Sequence, residues 1–146
     1  MTDAPTQLTL AAANTIIAAA FAKGAELNLK PLSVAVLDAG AHLIAFQRQD
    51  GSSTLRPQIA AGKAGGALAL GVSSRKIAEM AAERPSFVAS LGAISPHGVI
   101  PAAGGALIAG TGGAVIGAVG VTGDLSDNDE LCALAGVQAA GLATKG

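Results

Sequence analysis

"PLSVAVLDAGAHLIAFQRQDG", residues 31–51, decides the fold. Two runs rich in Val, Ile, Leu and Phe flank an Asp-Ala-Gly turn, and their proximity predicts two antiparallel arms of a β-hairpin. Because side chains alternate along a strand, His42, Ile44, Phe46 and Arg48 of the second arm are expected on one face. Leu43, Ala45 and Gln47 take the other. An imidazole and a guanidinium on one face of an otherwise apolar strand are candidates to border a ligand pocket. The alternative is local: Arg48 pairs with an acid such as Asp50, and His42 hydrogen-bonds within the turn.

Upstream of the hairpin, Ile16, Ile17, Ala20, Phe21 and Gly24 repeat at helical spacing, which predicts a helix from Leu10 to about Leu27 with Thr9 as its N-cap. Residues 1–7 are expected to be a flexible N-terminus. Downstream, "DGSST" reads as a turn, and Pro57 suits the first turn of a second helix carrying Ile59, Lys63 and Ala67 in one row. Gly62, Gly65 and Gly66 on that helix leave room for another backbone. Ser73 or Ser74 starts a third helix that stops near Pro85, and "FVASLGAISPHG" reads as irregular. Three strands follow, "GVIPA", "GALIA" and "AVIGAVGVT", the last two joined by a "GTGG" turn. Ser126 opens the final helix, with Asp129 three residues on as in a capping box. The order helix, two strands, two helices, three strands, helix predicts an α+β domain, an antiparallel sheet with packed helices, spanning residues 1–146 as one unit.

Composition narrows the function. Nine basic and ten acidic residues give a net charge of -1 and no basic face, and three Phe with no Trp or Tyr give no base-stacking platform, so nucleic acid is not an expected partner. No uncharged apolar run reads as a membrane span, and "MTDAPTQLTL" lacks the pattern of a secretory signal, which points to the cytoplasm. A core of small aliphatic side chains buries little area per residue, so self-association is expected to add burial. The one cysteine, Cys132, excludes an internal disulfide and reads as a small buried hydrophobe.

Several groupings invite chemistry. "GTGGAVIG" lacks the register of a dinucleotide loop, and "AAGKAGGA" has Pro57 where a phosphate loop needs Gly. Asp124, Asp127, Asp129 and Glu130 do not follow a calcium-loop pattern, because Asp129 stands at its glycine position. A helix cap accounts for most of them, leaving Glu130 as an acid–base candidate. Lys63 sits among Ala and Gly, either snorkelling at the helix edge or serving as an anion anchor in a cavity. His42 and His97 are candidate metal ligands, since neutral imidazole suits iron and other transition metals.

The hairpin "SVAVLDAGAHLIAFQRQDG", the helix with "AAGKAGGA" and the closing "GVIPAAGGALIAGTGGAVIGAVGVTGDLSDNDELCALAG" together resemble the GlcG/HbpS-like family, the heme-binding or heme-degrading domain family, from about Leu8 to Leu142. Closing-segment matches are Gly117, Gly120, Val121, Gly123, Asp129, Glu130, Cys132, Ala133 and Gly136. Ala41, Gln49, Gly65 and Gly66 depart from the family pattern. The resemblance implies a profilin- or PAS-like five-stranded antiparallel sheet, assembled into dimers or octamers. It also implies a small-molecule ligand, most directly heme or a related tetrapyrrole, with His42 or His97 as axial iron ligand and Arg48 and Lys63 holding carboxylates. A second implied reading is a cofactor-independent enzyme of organic-acid or aromatic catabolism, an isomerase, lyase or deaminase, with Lys63, Glu130 and His97 as catalytic groups. A purely structural accessory role is a third.

Overall fold

The Thr9 backbone is extended and its hydroxyl accepts the Ala12 N–H at 3.1 Å, so the first helix, α1 (Leu10–Glu26), starts as its sequence dictates. The computed structural model describes residues 7–146; the expectation for the first six residues of the chain lies outside the described residues. Ala13, Ile16, Ile17, Ala20 and Gly24 form the buried stripe of α1. Strands β1 (Ser33–Asp38) and β2 (Leu43–Arg48) pair antiparallel. Pro57 lies in the first turn of α2 (Arg56–Leu70), which Gly71 ends in the left-handed conformation, φ 73°. Ser73 caps α3 (Ser74–Glu83), and α4 (Pro85–Leu91) follows directly. Strands β3 (Gly105–Ala109) and β4 (Val115–Thr122) lead to α5 (Ser126–Ala139) and β5 (Ala143–Lys145).

The strands form one antiparallel sheet in the order β2-β1-β4-β3-β5. Helices α1 and α5 cover one face, where Ile16, Ile17, Val34, Val36, Ile108, Val119, Val121 and Val137 make the main core. Helix α2 covers the other, over Leu37, Leu107 and Ala118. Small residues set these distances. A Cβ on Gly120 would lie 2.0 Å from the Ala60 carbonyl oxygen, and one on Gly136 would lie 2.5 Å from that of Ile16. The α+β class and the five-stranded sheet therefore follow the expectation, but two details differ. Residues expected to be irregular form α4, started by Pro85 at a first-turn position. "GVIPA" is no strand, since Pro101 has no N–H to donate and Ala102 N–H turns back to the Ile100 carbonyl. The fifth strand is β5, which begins after Gly141, φ 73°, has ended α5.

Strand β2 departs from simple alternation. Val36 pairs with Ala45 but Leu37 pairs with Leu43, so Ile44 is an extra residue without a partner, a β-bulge. Paired residues of antiparallel strands share a face. Ala45 therefore joins Val36 in the main core, while Leu43 joins Leu37 on the α2 face, and Phe46 and Arg48, opposite Ala35 and Ser33, lie on that α2 face too. The expected row of His42, Ile44, Phe46 and Arg48 is thus broken: Ile44 packs on the main core and Arg48 faces the other way. A second bulge places Ile116 between partners, since Ile108 pairs with Gly117 and Ala109 with Val115.

Asp124, just ahead of α5, ties the α1–β1 connection to the start of that helix. Its carboxylate accepts N–H bonds from Lys30 at 3.0 Å, Leu125 at 2.8 Å and the Asn128 side-chain amide at 2.9 Å. The Asn128 amide leads, with the Lys30 and Leu125 N–H groups, in lowering its pKa from 3.8 to about 2. A carboxyl whose folded pKa is depressed contributes stability above its unfolded value that is lost as pH falls through the folded one. Asp124→Asn is therefore expected to flatten the loss of stability between pH 3.8 and about 2, measured by denaturant unfolding across that range. An unchanged acid limb would show that these bonds contribute nothing to it.

Candidate functional site

The hairpin turn builds the most chemically distinctive arrangement. Asp38 Oδ1 accepts the N–H groups of Gly40 and His42, both at 2.9 Å, which closes the turn. Ala41 takes φ 66°, a conformation that favours glycine. The fold carries the His42 ring back over the turn, with Nδ1 3.1 Å from Asp38 Oδ1. The His42 N–H leads in holding the Asp38 carboxyl below its ordinary range; burial opposes it, and the His42 ring and the Gly40 N–H reinforce it. An ionised carboxylate only accepts, so Nδ1 carries a proton, and in the tautomer this selects Nε2 is the nitrogen with the lone pair. The His42 side chain is 80% exposed, leaving that lone pair open to a ligand.

His42 borders a cleft of about 350 Å³ with Leu8, Ile44 and Ile116 as apolar wall and Gln7, Asp38 and Gly40 at its polar side. Both bulged residues, Ile44 and Ile116, face this cleft. The sequence placed Ile44 beside His42 on the strand but singled out neither Asp38 nor Ile116. Asp38 had a signal in its position four residues before His42 across a Gly turn; the bulges had none.

The other expected site residues lie elsewhere. His97 is half-buried against Gly65, and its Nε2 donates to the Ala41 carbonyl at 2.7 Å, clamping the turn from the α2 side. It lines a separate, largely apolar cleft of about 360 Å³ with Leu43, Pro57 and Ala61. Lys63 is only 3% exposed, with Nζ 2.9 Å from the Val121 carbonyl and 3.2 Å from Asp129 Oδ2. Helices α2 and α5 cover opposite faces, so this pair spans the sheet past Gly104, where a Cβ would meet Lys63 Nζ at 2.9 Å. Burial pushes the Lys63 ammonium down and the Asp129 carboxyl up, each opposed by the partner's charge. Asp129 is therefore no capping group for Ser126; α5 starts at Ser126 with Leu125 as N-cap and no side-chain cap bond.

Glu130 accepts Arg75 Nε at 3.0 Å, and Arg75 also pairs with Asp127. Arg48 is exposed on the α2 face of the edge strand, without the Asp50 pair considered for it. His42, Arg48, Lys63 and Glu130 therefore do not border one pocket. Cys132 is fully buried, and burial pushes its thiol up to about 11, as expected of a core hydrophobe.

Residues 8–138 match the family model described as haem degrading protein HbpS-like. The chain belongs to the HbpS-like family. As an HbpS-like chain it also superposes on a crystal structure of HbpS, with a TM-score of 0.78 and 29% identity over 94% of this chain and 92% of that one. Klebsiella pneumoniae protein ORFY gives a TM-score of 0.81 and 28% identity, covering 96% of this chain and 94% of its own. The crystal structure of a PduOC:heme complex gives a TM-score of 0.84 at 18% identity over 96% and 99% of the two chains, a likeness of fold alone. Curated proteins give no match. Among the described residues, no helix of this HbpS-like chain is long and apolar enough to cross a membrane.

Proposed function

We propose that this HbpS-like chain binds heme or a related tetrapyrrole, with the His42 imidazole as axial iron ligand. The observation that carries the reading is the Asp38–His42 pair at the polar side of a cleft whose other wall is Leu8, Ile44 and Ile116. A carboxylate on the far ring nitrogen fixes the tautomer and orientation that an imidazole ligand needs, and raises its basicity. Among the described residues, no three His, Cys, Asp or Glu side chains are grouped to hold a bare metal ion. Heme suits a single histidine, because the macrocycle brings four nitrogens of its own and leaves the axial positions to the protein. Leu8, Ile44 and Ile116 would contact the ring, and Asp38 would hold His42 in place. The family description supports the same ligand class, as does the heme complex of a PduOC chain of like fold.

The geometry favours binding over catalysis. Lys63, Glu130 and His97 are each engaged by a different partner, Asp129, Arg75 and Ala41, and line no common cleft. Self-association into dimers or octamers belongs to the same proposal, supported by the exposure of Leu43, Leu55, Ile94 and Leu125.

Hemin titration of the purified protein, followed at the Soret band, tests the ligand assignment. Wild type is expected to saturate stoichiometrically, and Asp38→Asn to bind about 10–100-fold more weakly. His42→Ala is expected to lose the histidine-type spectrum while keeping its thermal unfolding curve. Equal binding and an equal spectrum in His42→Ala would remove His42 as the ligand.

A further inference from the structure

We propose that His97 is the positioning residue of the His42 site, holding from the α2 side the peptide group that leads into His42. What this does for a ligand rests on the heme reading above; the contact itself does not. The Ala41–His42 peptide is planar, so its carbonyl and its N–H turn together. The carbonyl accepts His97 Nε2–H at 2.7 Å, and the N–H donates to Asp38 Oδ1 at 2.9 Å. One plane is thus pinned at both ends, once from within the turn and once from beyond it. The Asp38 bonds close the turn on itself, with Asp38 also accepting the Ala41 N–H on its own carbonyl at 3.0 Å. Among the described residues, the His97 bond is the one side-chain hydrogen bond that ties residues 38–42 to an element outside the hairpin.

Ala41 gives the turn a reason to need this hold. At φ 66° it has a left-handed conformation that its Cβ disfavours, and rotation about Ala41 relieves it. The same rotation swings the carbonyl away from His97 and carries the imidazole of His42 away from Asp38. The slot for His97 is built into α2, whose glycines let residues 97–100 lie against helix backbone. A Cβ on Gly65 would stand 2.7 Å from the His97 Cβ and 3.0 Å from its Cδ2, and one on Gly66 would stand 3.2 Å from the Val99 Cα. A helix packed on the sheet therefore carries the ring that sets the turn, and a ligating side chain is held best from rigid elements. His97 belongs to the α2-side cleft, whereas the His42 cleft is walled by Leu8, Ile44 and Ile116. Its effect on a ligand of His42 passes through the shared peptide.

Ring nitrogen-15 spectra of the ligand-free full chain, recorded at about pH 8 where an ordinary histidine is neutral, test the positioning. In wild type the His42 proton is expected on Nδ1, beside Asp38. In His97→Ala the His42 ring is expected to lose that preference and approach the tautomer mixture of free histidine, and hemin is expected to bind about tenfold more weakly. His97→Leu serves where His97→Ala does not fold: it keeps an apolar side chain on Gly65 but has no N–H to donate, so the same two changes are expected. His97→Gln, whose side-chain amide donates from the reach of Nε2, is expected to restore both in large part. A merely structural His97 would lower the melting temperature and leave the His42 ring spectrum as in wild type; that result in the Ala and Leu variants would overturn the proposal. Because the ring spectra are read without heme, they judge the positioning separately from the hemin titration that judges His42 as ligand.

Discussion

Lys63→Met should destabilise the fold by about 3–5 kcal/mol, lowering the melting temperature by roughly 10 °C. The cost lies less in the lost attraction than in what remains: Asp129 is 1% exposed, and its Oδ2 would be left in the interior without a cation. Val121 would also lose the ammonium that its carbonyl accepts. Lys63→Met with Asp129→Leu should recover most of the loss, because a buried ion pair replaced by apolar side chains of similar size is near neutral. Dependence on pH separates the causes. Burial already holds the Asp129 carboxyl above its unfolded value of 3.8, and losing Lys63 raises it further. A group with a raised folded pKa contributes most below its unfolded pKa and loses that contribution as pH rises through the folded one. The deficit of Lys63→Met should thus shrink as pH falls from 7 toward 3.8, as measured by denaturant unfolding. A deficit independent of pH would mean that lost packing, not the stranded carboxylate, sets the cost.

Gly120→Val is expected to prevent folding or to cost more than roughly 3 kcal/mol, the upper range for overpacking. An added Cβ would lie 2.0 Å from the Ala60 carbonyl oxygen and 2.9 Å from the Ala64 nitrogen, both helix backbone that no rotamer change can move. The only relief is to lift α2 from β4, which opens the contact over Leu37, Leu107 and Ala118. Gly112→Val in the β3–β4 turn meets nothing within 4 Å and should stay within about 1 kcal/mol of wild type. Soluble yield and chemical denaturation of the two variants make the comparison; similar stabilities would contradict the close packing of α2.

The elements that were legible in the sequence are those with a repeating signal. The stripe of α1, the hairpin, the Pro57 start of α2 and the "GTGG" turn each follow from local chemistry. Helix α4 and strand β5 have seven and three residues, too few for a period to show, and Pro101 interrupts a run that otherwise reads as a strand. The candidate site was legible in part. His42 stood out as an imidazole on an apolar arm, but the bulge at Ile44 has no marker where every neighbour is apolar, and it turns Arg48 to the opposite face. Lys63 and Asp129 are 66 residues apart, and only the sheet topology brings them together.

Under the proposed function, His42 ligates heme iron through its Nε2. Imidazole rescue tests it most directly: hemin is added to His42→Gly, and the visible spectrum is recorded with and without free imidazole. The expected spectrum is altered by the substitution and restored by imidazole to that of wild type. A His42→Gly spectrum identical to wild type before any imidazole is added would contradict it.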